Sequence, residues 1–181
     1  MPRFRDTHIL PPGRARTFAV AHAVVETIIK YKLGDTDPVK ILDIGCNVGD
    51  MQVDIQRIYP REIQFTGVDY GDFDTQLVSP MKFVLSDVKD FMAISEGGFG
   101  LTLCAWILVH LAAPPDDPFW MRLITQSEYL VTFENEGQLG FSLEDHFRRL
   151  GSIQIRHDAI ELGGFLYDLR VFKNLKGIEC R

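Results

Sequence analysis

Short β-branched runs that end in glycine or an acidic residue alternate with helical stretches over residues 39–134, and that alternation leaves few folds open. Val39–Ile44 runs straight into Gly45-Cys46-Asn47-Val48-Gly49. Ile63–Val68 ends in Asp69, and Met81–Leu85 ends in Ser86-Asp87. Phe99–Cys104, bounded by Gly97-Gly98, reads as a buried fourth strand, and Glu128–Phe133 as a fifth. Ser152–Leu162 and Phe165–Phe172 flank Gly163-Gly164 and read as a closing antiparallel hairpin at one sheet edge. Helical spacing covers Arg14–Leu33, Asp50–Tyr59 and Ser142–Leu150, the last with Ser142 as N-cap. Trp106–Gln126 reads as one helix broken by the proline-bearing loop at 114–118.

This pattern predicts a doubly wound α/β fold, with a mostly parallel sheet covered by helices on both faces. At 181 residues the chain fits one domain. We divide it into an amino-terminal arm and helix (1–38) that pack on a catalytic unit (39–181). Three cysteines, Cys46, Cys104 and Cys180, show no CxxC spacing, which speaks against a disulfide framework or a zinc knuckle. Cys180 in the tail is open to a role as a reactive thiol. No apolar run approaches the roughly 18 residues that span a bilayer, so no membrane partner and a cytoplasmic location are expected. The net charge of −6 is unfavourable for non-specific nucleic-acid binding. A local exception is the arm carrying Arg3, Arg5, Arg14 and Arg16, open to contact with an anionic ligand or RNA, or to being a solvated leader.

In an open α/β sheet, ligands sit beyond the carboxyl ends of the strands. That rule selects Gly45–Gly49, Asp69-Tyr70, Ser86-Asp87-Val88 and Cys104–His110. Glycines 45 and 49 permit positive φ and a close approach of ligand to main chain. Asp69 follows Gly49 at about the 20-residue interval at which a carboxylate meets ribose hydroxyls; the alternative is a cap or turn residue. Asp87 is placed to receive an adenine amino group. Tyr70 and Val88 would sandwich the ring, or serve as ordinary core.

The run Ile41-Leu42-Asp43-Ile44-Gly45-Cys46-Asn47-Val48-Gly49 resembles the first motif of class I S-adenosylmethionine-dependent methyltransferases. The likeness extends through Phe65–Asp69, Phe83–Asp87 and Phe99–Leu111, and covers roughly residues 39–174 in the family's order. It implies a Rossmann-like, seven-stranded sheet with an antiparallel last strand, S-adenosyl-L-methionine as cofactor, and no metal. It implies that Asp43 braces the glycine loop and reaches the methionine amino group. Gly45, Cys46, Asn47 and Gly49 would line the cofactor, Asp69 would hold its ribose, Asp87 with Tyr70 and Val88 would meet its adenine, and Cys104 and Ala105 would lie near its methionine part. Asn47 stands where the family carries its middle glycine, and Gly100 where an Asp is frequent.

A dinucleotide fingerprint would need glycines at 47 and 50, which are Asn47 and Asp50. The acidic Asp50 would also meet a pyrophosphate at the helix N-terminus, so a cofactor without phosphates is favoured. Methyl transfer requires alignment of nucleophile and methyl, and a base only if the nucleophile starts protonated. His110 and Glu134 are the candidate bases, with Glu136 and His146 behind them; His110 is also open to a packing role, and Glu134 to capping a loop. The run Ala113–Trp120 lies too far beyond the fourth strand to be the Asp-Pro-Pro-Tyr motif of amino-group methyltransferases, and reads as a loop beside the site, with Phe119 and Trp120 as packing or acceptor contacts. The acceptor expected is an oxygen or nitrogen of a small molecule or protein. RNA methylation and a catalytically silent partner subunit are the alternatives, and a homodimer or partner-bound state is open.

Overall fold

The computed structural model describes residues 12–35, 37–111, 113–162 and 164–175, without the side chains of 12–15 and 136. Arg3, Arg5, Gly163 and Cys180, and the side chains of Arg14 and Glu136, lie outside what is described.

Seven strands form one sheet: β1 (Val39–Ile44), β2 (Ile63–Asp69), β3 (Lys82–Leu85), β4 (Phe99–Ala105), β5 (Ser127–Glu134), β6 (Ser152–Leu162) and β7 (Phe165–Asn174). Their order is β3-β2-β1-β4-β5-β7-β6, with β7 antiparallel to both of its neighbours and β1 to β5 all parallel. This is the Rossmann-like, doubly wound arrangement expected from the strand pattern. The chain turns outward in both directions from the β1–β4 pair, which is the switch point where such sheets hold ligands.

Adjacent residues on a strand face opposite sides of the sheet, and the cores follow that rule. Ile41, Leu101, Leu103, Tyr129, Val131 and Phe133 pack against α1 (Pro12–Lys30) and α2 (Asp50–Ile58). Leu42, Ile44, Cys104 and Leu130 pack on the other face, against α3 (Val88–Ile94), α4 (Pro118–Thr125) and α5 (Leu143–Arg149). Helix α1, expected to be the packing helix of the amino-terminal region, buries Val20, Ala21, Val24 and Ile28 completely.

Two elements differ from the sequence reading. Helix α3 was not expected; Asp87 nucleates it by accepting the Lys89 N–H at 2.8 Å, a side-chain cap that offsets the helix's short length. Residues 106–126 hold a 3₁₀ turn (Leu108–His110) and, after the proline loop, α4. Pro118 at the first turn of α4 and the Asp117 cap on the Phe119 N–H make that loop the start of the helix, where the sequence reading had one broken helix.

Candidate functional site

The loop after β1 is held in a left-handed shape by three residues: Gly45 (φ 72°), Asn47 (φ 50°) and Gly49 (φ 90°). Asn is among the side chains that best tolerate this region, and Asn47 adds a hydrogen bond from the Val48 N–H to its own Oδ1 at 2.7 Å. That is why the middle position of the motif accepts Asn. At Gly45 a Cβ would come within 3.0 Å of Ile107, so the backbone lies against the loop that follows β4.

Asp69, at the end of β2, ties this loop to its neighbour. Its Oδ2 accepts the Asn47 N–H and its Oδ1 the Gly71 N–H, each at 3.0 Å. Asp69 and Asp87 end adjacent parallel strands, and the Ser86 N–H donates to the Asp69 main-chain oxygen at 2.9 Å. Deeper in, Asp43 is buried and accepts a hydrogen bond from Gln52 Nε2 of α2. Burial, reinforced by the negative charge of Asp69, pushes the Asp43 carboxyl up to about 8, while the Gln52 bond opposes the shift.

Two adjoining cavities open at these strand ends. One, of about 420 Å³, is bordered by Asp43, Gly45, Cys46, Asn47, Asp50 and Ala105, with Arg16, Met51, Trp106, Val109, His110 and Gln138 closing it. The other, of about 640 Å³, is bordered by Tyr70, Asp87, Val88, Lys89, Ile107, His110 and Leu111. His110 borders both. Asn47 lines the first and Tyr70 the second; Asp69, bonded to the Asn47 N–H and next to Tyr70 in the chain, is buried behind them and itself borders neither cavity. Tyr70 is 79% exposed and forms rim, whereas Val88 is buried.

The segment after β4 is shaped by Glu134. Its Oε1 accepts the N–H groups of Ile107 (3.0 Å) and Leu108 (2.9 Å), and its side chain is fully buried. Burial raises its carboxyl to about 8 against those hydrogen bonds. Glu134 borders neither cavity and acts as a loop brace, the second of the roles open to it in the sequence. Cys104 also stays away: its side chain is buried in the α3–α5 core, and burial raises its thiol well above the ordinary range. His146 is packed between Trp120, Phe141 and Phe147 and is no base for this crevice.

Trp106 takes φ 62°, a left-handed conformation costly for a bulky residue. It is held by an edge contact to Tyr167 and by the Arg16 guanidinium, which sits 2.9 Å from its ring centroid. Arg16 has no carboxylate partner among the described residues, and burial lowers its pKa. Trp106 and Val109 fall within the strand-end segment Cys104–His110, whereas nothing in the sequence marked Met51 or Gln138. Arg16 was legible only as part of a basic arm, yet it belongs to α1 and reaches inward. Among the described residues, no group of three or more His, Cys, Asp or Glu is set to hold a metal ion.

The architecture is that of solved methyltransferase structures. Magnesium protoporphyrin IX methyltransferase (ChlM) from Synechocystis PCC 6803, with bound SAM, superimposes with a TM-score of 0.63 at 13% identity, covering 90% of this chain and 81% of that one. The plantazolicin methyltransferase BpumL, in complex with SAH, gives 0.59 at 16% identity, covering 90% and 87%. A putative RNA methyltransferase, PH1948 from Pyrococcus horikoshii, gives 0.61 at 14% identity, covering 89% and 83%. No family model matches the sequence, and no curated protein matches it.

Proposed function

We propose that this chain binds S-adenosylmethionine across the two cavities and transfers its methyl group to an oxygen or nitrogen of a small molecule or protein. The observation that carries this reading is the pair of adjoining cavities at the strand ends, one bordered by Asp43 and the glycine loop and the other by Asp87 and Val88, with Asp69 behind them tied to the loop of the first. An ionised carboxylate offers about four acceptor positions; two are used on Asn47 and Gly71, which leaves capacity for a ribose diol. The nucleobase then falls in the Tyr70–Asp87–Val88 cavity, and the amino acid part between Asp43 and Arg16.

The residues fit such a cofactor on several counts. Gly45, Cys46 and Asn47 border the first cavity, so a cofactor there would lie along the left-handed loop. Asp43 accepts an ammonium, and Arg16 supplies the positive counterpart for a carboxylate. Asp50 beside the α2 N-terminus disfavours a phosphate-bearing ligand. The cofactor supplies an electrophilic methyl on a sulfonium. The chain's own task is to hold the acceptor in line within about 3–3.5 Å of it and to keep water out. Ala105 and the braced Trp106–Val109 segment form the wall nearest that point, and His110, exposed at the border of both cavities, is the group placed to take a proton from the acceptor.

RNA is the less supported acceptor. Of the arm arginines only the Arg16 side chain is described, and it is turned into the cavity over Trp106.

Calorimetric titration with S-adenosylmethionine and S-adenosylhomocysteine tests the reading. One site per chain is expected, and product at 100 times its Kd should add about 2.7 kcal/mol of stability. No heat and no stabilisation with either ligand would overturn it.

A further inference from the structure

A third cavity, of about 310 Å³, lies between residues 113–115 and residues 138–141. It shares Val109 and Gln138 with the Asp43–Arg16 cavity, so the two adjoin. Among the described residues its lining side chains are mostly apolar, with Leu108, Val109, Ala113, Leu139 and Phe141 prominent and none charged, while Gln138 and the main chain supply its polar surface. Among those residues Gln138 has the one polar side chain, where the two cavities meet.

The walls are built rather than incidental. Trp120 is buried beneath them and fixes both: its Nε1–H donates to the Pro114 oxygen at 2.8 Å, and its ring meets Phe141 edge-on at 5.6 Å. The Asp117 N–H also donates to the Pro114 oxygen, at 2.9 Å. Asp117 is itself held by Lys89 at 2.8 Å. The floor, Leu108, is set by Glu134. A groove of mostly apolar side chains, with the exposed Gln138 where it meets the neighbouring cavity, suits a small ligand that presents a single polar atom at that end.

We propose that this groove is the acceptor site, and that the acceptor is an uncharged small molecule with an apolar, ring-sized body. Its nucleophilic oxygen or nitrogen points past Gln138 toward His110 and the Ala105–Trp106 wall. An anionic body is disfavoured, because among the described residues no cation lines the groove to replace its lost hydration. The assignment of the groove to an acceptor rests on the methyltransferase reading; the groove's preference for neutral apolar ligands does not.

The probes are 4-ethylphenol and its anionic counterpart 4-hydroxybenzoate. Binding is measured by ligand-observed NMR on the full chain, with and without saturating S-adenosylhomocysteine, and product affinity is measured separately by calorimetry. The proposal expects 4-ethylphenol to bind at least tenfold more tightly than 4-hydroxybenzoate. Leu139→Asp, or Pro115→Glu on the exposed loop, should weaken 4-ethylphenol at least tenfold and leave product affinity within twofold. Binding of 4-ethylphenol without any of the product would support the groove and overturn the methyltransferase reading. Binding of the product with no 4-ethylphenol, equal binding of both phenols, or indifference to both substitutions would overturn the groove.

Discussion

Asp69 does two jobs with one carboxylate, and both are separable by measurement. It ties the β1 loop to the β2 end through the Asn47 and Gly71 N–H groups, and in the proposed reading its remaining acceptor positions meet a ribose. Hydrogen bonds to a charged group contribute about 1.5–3 kcal/mol each, so Asp69→Ala should weaken S-adenosylhomocysteine binding roughly 10- to 100-fold in calorimetry. A variant with unchanged affinity would remove Asp69 from the site. At Gly49 the constraint is backbone: with φ at 90°, Gly49→Ala should cost about 1–2 kcal/mol in denaturant unfolding. The added Cβ also meets Met81 Cε at 2.6 Å, a flexible tip that can move aside, so the main cost is conformational. Asn47→Gly should be tolerated by comparison, since Gly reaches φ 50° without strain.

Among the elements, the turn after β4 depends on a buried carboxylate from the next strand. Removing it by Glu134→Ala leaves the Ile107 and Leu108 N–H groups without their acceptor and should destabilise the protein by about 2 kcal/mol. Glu134→Gln keeps an acceptor and should cost less. The same residue governs a pH effect. Asp43 and Glu134 both titrate near 8 in the folded chain, far above the range of an unfolded carboxyl. Between about pH 4 and 8 the folded state therefore binds more protons than the unfolded one, and stability should fall as pH rises through that window. Their contribution is complete below about pH 4 and gone above about pH 8. Denaturant midpoints across this range should decline, and the decline should flatten in Asp43→Asn and Glu134→Gln. A midpoint that rises with pH through the window in the parent chain, unchanged by either substitution, would contradict this account. Most elements were legible because apolar alternation and glycine punctuation are local signals. Helix α3 was not: it is short, and its signal is the Asp87 cap, which the sequence shows only as a strand-end acid beside others of its kind.

For the whole molecule, the strand order decides what the residues can share. Asp43, Asp69 and Asp87 are far apart in sequence, but β1, β2 and β3 are consecutive neighbours in the sheet, so all three carboxylates arrive at one end of it. That convergence was readable from the succession of strand-ending acids. The closing side of the crevice was not. Arg16 comes from α1 and Gln138 from the segment after β5, and their approach depends on packing that no local pattern encodes. For the same reason Glu134 read as a candidate base and Cys104 as a site residue, although one braces a turn and the other lies in the core.

The central claim is that one nucleoside spans both cavities with its ribose on Asp69. Backbone amide NMR during titration with S-adenosylhomocysteine tests it most directly. The account predicts that amides of Gly45–Gly49, Tyr70-Gly71 and Val88-Lys89 shift together along one saturating curve. Shifts confined to one of these segments, or none, would contradict it.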